Sequence, residues 1–389
     1  MKTVAIVGAG LAGSEAALYL ASHGVKVKLY DCKPKDILPI YKFSSCSELV
    51  CNNSLAPLTT KKPLGLLLEE LKQSGSKLIS IAETCRLKDD IYFSVDKKKF
   101  SISVANEIKK HNIEIINQMV VEVPDEDCVI IATGPLTNQK LINDISVKYN
   151  IQNFHFFDAS STIVDIYSIN KANANVKKIT DDLFAVTIPN DIFEKFSDIL
   201  KDAECYSAHS IDYLIDFDKC QSIERLAKQG KDVLYKNRFF YGDITNEPCL
   251  LLRREGGLKN AFIMVGCMTT LTHSAQQKVF SLLPGFENVK IVKFGRMHMN
   301  TYFDSPKFLN CFYQIKGTQT YVIGQLSGID GYLPAISSGL VASTHILNDG
   351  NIRLFSKNTM IGALAHYVSN DSVIDFKPMC ASFSLLSND

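Results

Sequence analysis

The segment SELVCNNSL places a thiol, Cys51, in polar surroundings. A cysteine that packs in a core is expected among aliphatic neighbours, whereas Cys51 is followed directly by Asn52 and Asn53. A thiolate is a strong nucleophile, and a thiol that titrates can also carry a proton. Because the segment follows a glycine-rich N-terminal stretch, Cys51 is a candidate acid, base or nucleophile.

Most of the other cysteines offer no such chemistry. The chain has 11 cysteines in 389 residues, an odd number, with no C-x-x-C pair. This pattern is untypical of a disulfide scaffold or a zinc site, and it favours a reducing compartment. We therefore expect no metal site, and we expect most of these thiols to be inert.

The N-terminal stretch has the spacing of a dinucleotide-binding turn. An apolar strand (3–8) runs into Gly8, Gly10 and Gly13, an apolar helical run follows, and a second strand ends at Asp31. In this order the glycines permit a tight turn and close backbone approach to a pyrophosphate, and the helix N-terminus meets its charge. The acid about 20 residues on suits a ribose hydroxyl.

Two later segments resemble the flavin-binding parts of FAD enzymes of the glutathione-reductase type. DCVIIATGP is an apolar strand that runs into Thr133 and Gly134, and TYVIGQLSGIDGY is a strand that breaks into glycines before a helix. The cofactor-binding residues expected from the second segment are Gly324, Gln325, Gly328 and Gly331.

The positions of these segments predict the domain organisation. The fold class is α/β: a Rossmann-type FAD-binding domain of glutathione-reductase type (1–155 and 291–389) that carries an inserted α/β domain (156–290), which should face the cofactor and the substrate. No second G-x-G-x-x-G is present. We therefore expect NAD(P)H to reduce the flavin by docking transiently, without a domain of its own.

Composition narrows the partners and the compartment. The net charge is +1, so no global field attracts nucleic acid, and RNA binding would need a local basic patch such as Lys97 to Lys99. No stretch approaches the roughly 18 apolar residues of a membrane span. The N-terminus is typical of a first strand and not of a signal peptide. We expect a cytoplasmic protein.

Several motifs in one order resemble the folate-dependent RNA uridine-5 methyltransferases, the TrmFO family. They are GAGLAGSEAA, SELVCNNSL, LGLLLEEL, ATGPLT, MHMNTYFDSP, GQLSGIDGY, IGALAHY and FKPMCASFSLL. The resemblance implies transfer of the one-carbon unit of 5,10-methylenetetrahydrofolate, through FAD reduced by NAD(P)H, to carbon 5 of a uridine. The expected activity is therefore that of a methylenetetrahydrofolate-dependent RNA (uracil-5-)-methyltransferase.

The same resemblance assigns roles to two thiols. FDKCQSIERLAKQG resembles the family's segment with the nucleophile, which places on Cys220 the addition to carbon 6 of the uracil. Cys51 resembles the second cysteine, which removes the proton from carbon 5. Thiols suit both tasks, reversible addition and proton transfer. Because the nucleophile attacks an extruded base, the RNA should be locally unstacked.

Further residues are candidates for contact with folate or RNA. Guanidinium groups suit carboxylate and phosphate, a histidine can hydrogen-bond the substrate or the flavin, and a tyrosine can stack on a pterin or a base. A satisfied structural role is the alternative for each. The candidates are Asn53, Arg253, Arg254, His298, Asn300 and Tyr332.

The chain departs from the family pattern mainly at the presumed RNA face. Thr162 stands where the family has proline, Met299 where arginine is usual, and Asp330 where glutamate is usual; the chain has no tryptophan. A shorter branch of the family in wall-less bacteria methylates 23S rRNA, and the altered face favours that substrate. The T-loop uridine of tRNA is the alternative.

Three rival functions remain. The first is the related flavoprotein that modifies the wobble uridine of tRNA, but that protein is far longer than the 389 residues of this chain, which disfavours this function. An NAD(P)H-dependent flavin oxidoreductase would need neither cysteine. A non-catalytic RNA-binding flavoprotein would bind RNA without transferring label from folate. The oligomeric state is not predicted.

Overall fold

A computed structural model describes residues 3–35, 43–88, 91–205, 221–242, 244–255, 260–348, 355–373 and 376–386, without the side chains of 154–160 and 296–299. The chain forms two compact units, Met1–His155 with Thr301–Asp389, and Phe156–Asn300. The second unit thus ends at Asn300, whereas the sequence analysis places its end at residue 290.

The first unit is built on a five-stranded parallel sheet with the order β14-β6-β1-β2-β5. In β1, Val4, Ala5 and Ile6 are fully buried, as expected for a parallel strand covered on both faces. The strands are β1 (Thr3–Val7), β2 (Lys26–Asp31), β5 (Glu114–Asn117), β6 (Cys128–Ile131) and β14 (Thr320–Val322). An antiparallel pair, β3 (Ser54–Pro57) and β4 (Tyr92–Ser94), stands apart from this sheet.

Helices cover the parallel sheet. They are α1 (Leu11–Ser22), α2 (Pro63–Gln73), α3 (Lys77–Thr84), α4 (Lys97–Lys110), α5 (Gln139–Tyr149), α10 (Ser305–Phe308), α11 (Tyr332–Leu347) and α12 (Met360–Tyr367). Helices α1 and α11 pack very closely, because a Cβ on Gly339 would lie 2.4 Å from the carbonyl oxygen of Ala12. The small residues of both helices thus bring the N-terminal and C-terminal parts of this unit together.

The second unit contains a larger sheet of a different kind. Its strands follow the order β12-β7-β11-β10-β9-β8, with β13 paired to β7. The neighbours along this order pair antiparallel. The strands are β7 (Asn153–Asp165), β8 (Asn175–Thr180), β9 (Leu183–Thr187), β10 (Cys249–Arg254), β11 (Ala261–Met268), β12 (Ile291–Lys293) and β13 (Arg296–Phe303).

The helices of the second unit are α6 (Asn190–Lys201), α7 (Ile223–Gln229), α8 (Lys231–Leu234) and α9 (His273–Phe280). A π-helical turn (Tyr235–Phe239) follows α8. The core below these helices is aromatic: the ring of Phe239 lies 5.2 Å from that of Phe193 and 5.8 Å from that of Phe196, edge to face in both cases. Such pairs stabilise beyond the area that they bury.

The predicted fold class is confirmed, since a parallel Rossmann-type sheet carries a second domain of strands and helices. The fingerprint strands and helix lie within one or two residues of their predicted positions. Among the residues described, no helix is both long and apolar enough to cross a membrane.

Candidate active site

The three fingerprint glycines differ in what a side chain would meet. Gly8 has φ +105°, and an added Cβ would lie 2.5 Å from the carbonyl oxygen of Ala132. A Cβ on Gly13 would lie 1.9 Å from the carbonyl oxygen of Gly8, whereas a Cβ on Gly10 would meet nothing within 4 Å. Gly8 therefore permits the turn, Gly13 permits the helix to pack on it, and Gly10 leaves open space at the N-terminus of α1. These are the three roles that a dinucleotide turn requires.

Asp31 lies at the end of β2, beside this turn. Its Oδ2 accepts a hydrogen bond from the N–H of Ala9 at 2.7 Å, and its Oδ1 accepts one from the N–H of Lys33 at 2.8 Å. The carboxylate is thereby fixed against the turn. Since each carboxylate oxygen has two lone pairs, both can still accept a ribose hydroxyl.

The segment after β6 returns to the same turn. The N–H of Ala132 donates to the carbonyl oxygen of Val7 at 2.8 Å. Beyond it, the hydroxyls of Thr133 and Thr137 are 2.7 Å apart, and that of Thr137 donates to the carbonyl oxygen of Gly134. Thr133 and Gly134 thus form a hydrogen-bonded turn that follows the strand next to β1.

The C-terminal glycine loop is held from two sides. The N–H of Gly324 donates to Ser338 Oγ at 2.8 Å, and Gln325 Nε2 donates to Asp330 Oδ1 at 3.1 Å. Gly324, Gly328 and Gly331 have φ values of +68°, +81° and +104°. These values lie in a region that glycine adopts readily and other residues rarely do. The positive φ angles alone therefore require glycine at these three positions, whether or not a ligand is bound.

The loop of Cys51 is fastened to the dinucleotide turn. The N–H of Ser47 donates to the carbonyl oxygen of Ala9 at 2.9 Å, and Ser47 Oγ donates to that of Gly10 at 3.3 Å. Ser47 is fully buried and has φ +51°. A non-glycine residue in this conformation is uncommon. The local strain is consistent with a loop whose course is set by its contacts with the turn.

Tyr332, the first residue of α11, holds the same loop at its other end. Its phenol oxygen accepts hydrogen bonds from the N–H of Cys51 at 2.7 Å and from that of Asn52 at 3.2 Å. Burial raises the pKa of Tyr332 well above its ordinary value, and the neighbouring Cys51 raises it further. The phenol therefore remains protonated around neutral pH and serves as a neutral hydrogen-bonding group beside Cys51.

Two further residues border the Cys51 loop. Asn53 is buried, with 3% of its surface exposed, so its side chain is part of the interior of this loop. Lys97 Nζ lies 3.4 Å from the carbonyl oxygen of Cys51, whereas Lys98 and Lys99 are exposed at the start of α4. The lysine run thus begins at the Cys51 loop.

Other thiols of the first unit are poor nucleophiles. Burial raises the pKa of Cys46 to about 11, and the charge of Asp31 adds to this effect. Burial likewise raises the pKa of Cys380 to about 11, with Asp330 contributing. Both thiols are protonated at neutral pH, and it is the thiolate that reacts. The expectation that most thiols are inert agrees with these two environments.

The remaining predicted residues belong to the second unit. Arg254 Nε forms an ion pair with Asp182 at 2.6 Å, and Arg254 Nη2 donates to the carbonyl oxygen of Asp181. Arg253 is half-buried in β10, and Asn300 is buried in β13. Cys220 and the side chain of His298 lie outside the described residues. Arg254 therefore already has a structural partner, which any anionic ligand would have to displace.

One buried acid escaped the sequence analysis. Glu15, in α1, is fully buried, and its carboxylate accepts hydrogen bonds from Ser76 Oγ and from the N–H groups of Lys77 and Leu78 at 2.8–3.0 Å. Burial raises its pKa to about 7, against the opposing effect of these donors. The signal in the sequence is a lone glutamate within the apolar run LAGSEAALYL.

These residues fit a dinucleotide of the FAD type. Gly10 leaves room at the N-terminus of α1 for a pyrophosphate, and Asp31 offers acceptors to a ribose. The loop at Gly324 lies against the same helix, because a Cβ added to Gly324 would be 3.1 Å from the Cβ of Ala12. Helix N-termini of this kind bind phosphate through their free N–H groups. The first unit is thus a dinucleotide-binding domain with a thiol-bearing loop on its turn.

Comparison with known proteins identifies the family. The family model described as Glucose inhibited division protein A (GIDA) matches residues 3–351, and the chain belongs to this family.

Two relatives and one solved structure show how far the similarity extends. The chain is 37% identical over 399 residues to the protein of Acetivibrio thermocellus named methylenetetrahydrofolate–tRNA-(uracil-5-)-methyltransferase TrmFO, covering 98% of this chain and 92% of that protein. It is 34% identical over 402 residues to a Mycoplasma mycoides protein of the same name, TrmFO 2, covering 100% and 92%. GidA of Aquifex aeolicus shares the fold, with a TM-score of 0.69 at 16% identity over 97% of this chain and 68% of that one.

Proposed function

We propose that this chain methylates carbon 5 of a uridine in tRNA, taking the one-carbon unit from 5,10-methylenetetrahydrofolate and using FAD that NAD(P)H reduces. The predicted enzyme class, a folate-dependent RNA (uracil-5-)-methyltransferase, is confirmed by the relatives, which carry this activity in their names at 34–37% identity over nearly the whole chain. The finer parts of the proposal are the RNA, the reductant and the roles of individual residues.

The observation that carries the proposal is the anchoring of Cys51. Its loop is bonded to the dinucleotide turn through Ser47 and to the start of α11 through Tyr332. These attachments fix the main chain that carries the thiol against the dinucleotide turn. A thiol that acts on a substrate beside a bound dinucleotide has to be held at a fixed position relative to that dinucleotide.

In this proposal the bound FAD supplies the carrier for the one-carbon unit and the hydride that completes the methyl group. Gly8, Gly10 and Gly13 would accommodate its pyrophosphate, and Asp31 would bind its ribose. Cys51 removes the proton from carbon 5 of the uracil. The neutral phenol of Tyr332 accepts hydrogen bonds from the N–H groups of Cys51 and Asn52, and so would hold the loop that carries the thiol in place.

Cys220 is proposed as the nucleophile. Carbon 5 of uracil is a poor nucleophile until a group adds at carbon 6, and a thiolate is suited to this reversible addition. Asn53, Arg253, His298 and Asn300 remain proposed contacts for folate or RNA. For Arg254 the proposal requires that a phosphate or carboxylate compete with Asp182.

The choice of tRNA departs from the sequence analysis, which favoured 23S rRNA. Both relatives described above are named for tRNA, and one of them comes from a wall-less bacterium. The altered residues at Thr162, Met299 and Asp330 do not by themselves distinguish the two RNAs. tRNA is therefore the substrate that the similarity supports better.

A side-by-side assay tests this choice. Purified protein is incubated with FAD, NADPH and labelled 5,10-methylenetetrahydrofolate, together with unmodified tRNA or with 23S rRNA fragments. The proposal predicts label at carbon 5 of uridine in tRNA. Label only in rRNA would reject the tRNA assignment, and label in neither would reject the methyltransferase.

A simple NAD(P)H-dependent flavin oxidoreductase is the alternative function. Its turnover would need a dinucleotide site but neither thiol. Only the methyltransferase transfers label from folate to RNA, so the wild-type protein in the side-by-side assay distinguishes the two functions. In the Cys51→Ala variant NADPH oxidation by oxygen should persist, because the dinucleotide turn is untouched, while methyl transfer to RNA should be lost. Retention of methyl transfer would favour the alternative reading of Cys51 as a structural thiol.

A further inference from the structure

Lys97 brings a cation to the loop that carries Cys51. Its Nζ lies 3.4 Å from the carbonyl oxygen of Cys51 and donates a hydrogen bond to it. The carbonyl oxygen and the Sγ of one cysteine are at most about 4.6 Å apart, so the ammonium lies within about 8 Å of the thiol. This separation is about one Debye length at physiological ionic strength, and a partly buried pair is screened less than an exposed one. The charge of Lys97 therefore acts on the Cys51 thiol.

The main chain fixes where Lys97 stands. Directly after β4, the N–H of Val95 donates to the carbonyl oxygen of Asn53 at 2.9 Å, which ties the end of this strand to the Cys51 loop. The side chain of Asp96 caps the N-terminus of α4, and Lys97 is the first residue of that helix. The first turn of α4 is thus held beside the Cys51 loop by the strand that precedes it.

The first turn of α4 is an unfavourable place for cations. The helix begins with Lys97, Lys98 and Lys99 and has no acidic residue in its first turn, although the positive end of the helix dipole lies there. Lys98 and Lys99 are exposed to water, whereas Lys97 is half-buried. The stability of α4 therefore does not account for a cation at residue 97. The helix N-terminus and the ammonium together make electropositive surroundings, in which thiols ionise more readily.

Other titratable groups at this loop, among the residues that the structure describes, belong to Tyr332 of α11 and to Cys46 and Glu48 of the loop itself. Burial raises the pKa of Tyr332 well above its ordinary value and that of Cys46 to about 11, so both groups are neutral around pH 7. The carboxylate of Glu48 accepts a hydrogen bond from the N–H of Phe43 at 3.0 Å. Two of these groups thus bring no charge to the loop, and Lys97 supplies a positive one.

We propose that Lys97 is a positioning residue for Cys51: it holds the main chain of Cys51 and keeps the thiol in the ionised form that accepts the proton from carbon 5. A thiolate can accept this proton and a thiol cannot, and a nearby cation favours the thiolate. The proton moves from carbon 5 to Sγ, the electron pair of the broken C–H bond stays on the pyrimidine, and Lys97 remains protonated throughout. This inference rests on the proposed role of Cys51.

The test uses the full-length protein with bound FAD. Lys97→Met removes the charge and keeps an unbranched side chain, and Lys97→Arg restores the charge. Lys77→Met is the matched control, because Lys77 is the half-buried first residue of α3 and its charge acts on Glu15 and Glu107. The first readout is alkylation of Cys51 by iodoacetamide, followed by peptide mass spectrometry, over a pH range that brackets the ordinary thiol pKa of about 8.5.

The second readout is tritium release from tRNA labelled at carbon 5 of uridine, with kcat and KM measured over the same pH range. FAD content and melting temperature are recorded for each variant. Together these measurements separate a change in the ionisation of the thiol from a loss of RNA binding or of folding.

In Lys97→Met the midpoint of Cys51 alkylation should move to higher pH, because the thiolate has lost its cation, and alkylation at pH 7 should slow at least about threefold. kcat for tritium release should fall by a similar factor at pH 7 and return toward the wild-type value above the new midpoint. KM for tRNA and FAD content should stay near wild type. Lys97→Arg and Lys77→Met should both resemble the wild-type protein.

An unchanged alkylation midpoint in Lys97→Met would overturn the inference, and so would a shift that Lys77→Met shares. A rise in KM for tRNA with unchanged alkylation would also overturn it, because Lys97 would then be a contact for RNA. If Lys97→Met does not fold, Lys97→Gln is scored in its place. The proposed function fails in a different way: the wild-type protein would then transfer no methyl group to RNA, and the alkylation profiles would still decide whether Lys97 controls the Cys51 thiol.

Discussion

Replacement of Tyr332 by phenylalanine removes a single oxygen atom from the Cys51 loop. That oxygen accepts hydrogen bonds from the N–H groups of Cys51 and Asn52, and it lies 3.3 Å from the carbonyl oxygen of Asn52, to which it donates. The ring that remains still fills the start of α11. The variant therefore changes what holds the thiol and leaves the packing of the helix largely intact.

The magnitude follows from the bonds that are lost. The net contribution of one hydrogen bond is about 0.5–1.5 kcal/mol, and a buried donor left unsatisfied costs about 1–3 kcal/mol. Two N–H groups lose their acceptor here, at 2.7 Å and 3.2 Å. Because the site is partly open to water, we take the lower part of this range, about 2 kcal/mol, for holding the loop in its active position. About 1.4 kcal/mol corresponds to a factor of ten, so the active arrangement should become about 30-fold less populated.

Release of tritium from RNA labelled at carbon 5 of uridine measures the step assigned to Cys51. Tyr332→Phe should lower the rate of tritium release about 30-fold, with FAD content unchanged because the glycines of the turn are untouched. Tyr149→Phe is the matched control. It also removes one phenol from the first unit, but that phenol contacts Thr320 at 2.8 Å and not the Cys51 loop.

The result that would refute this reasoning is tritium release by Tyr332→Phe at more than about half of the wild-type rate. The phenol would then not be needed to hold the proton-removing thiol. An equal loss in Tyr332→Phe and Tyr149→Phe would also contradict it, because the effect would then reflect the loss of any buried phenol.

Three further predictions concern the first unit. Gly10→Ala should leave the melting temperature near wild type, because its Cβ meets nothing within 4 Å, but should weaken FAD binding at least about tenfold in a flavin titration, since the backbone must approach the pyrophosphate. Gly13→Ala, unlike Gly10→Ala, should also lower the melting temperature, because its Cβ would lie 1.9 Å from the carbonyl oxygen of Gly8. An unshifted melting curve would contradict this. Burial raises the pKa of Glu15 in the folded state to about 7, against an ordinary value of 4.5. Between pH 4.5 and 7 the folded state therefore binds more protons than the unfolded state does. The free energy of unfolding should fall as the pH rises through this range, by at most about 3 kcal/mol. Denaturant unfolding across this pH range should show that fall in wild type but not in Glu15→Gln, and parallel curves would contradict the raised pKa.

The parallel core could be predicted from the sequence because its signals are local. Buried parallel strands give continuous apolar runs, and the fingerprint glycines are fixed by the turn itself, as Gly8 and Gly13 show. The antiparallel sheet of the second unit could not be specified in the same way. Its pairing joins β7 with β11 and β9 with β10, strands that are distant in the sequence, and no short turn sets their register.

The candidate site shows the same division. Cys51 stands out because its neighbours are polar, and this property is visible in the sequence. Stacking of Tyr332 on a ligand stays a prediction, and what the sequence does not reveal is that its phenol bonds the main chain of Cys51. Glu15 lies within the motif GAGLAGSEAA but was given no role, because what explains a buried carboxylate is the set of donors that arrive from other elements. Such donors are set by tertiary structure, which spacing along the chain does not encode.

The central claim is that two thiols divide the work, with Cys220 adding to carbon 6 and Cys51 removing the proton from carbon 5. RNA that carries 5-fluorouridine at the target position tests it most directly, because fluorine cannot be removed as a proton and the adduct at carbon 6 should persist. Peptide mass spectrometry of wild-type enzyme incubated with folate, NADPH and this tRNA should find the nucleotide attached to Cys220, in Cys51→Ala as well as in wild type. A stable adduct on Cys51, or an adduct that forms equally in Cys220→Ala, would contradict the account.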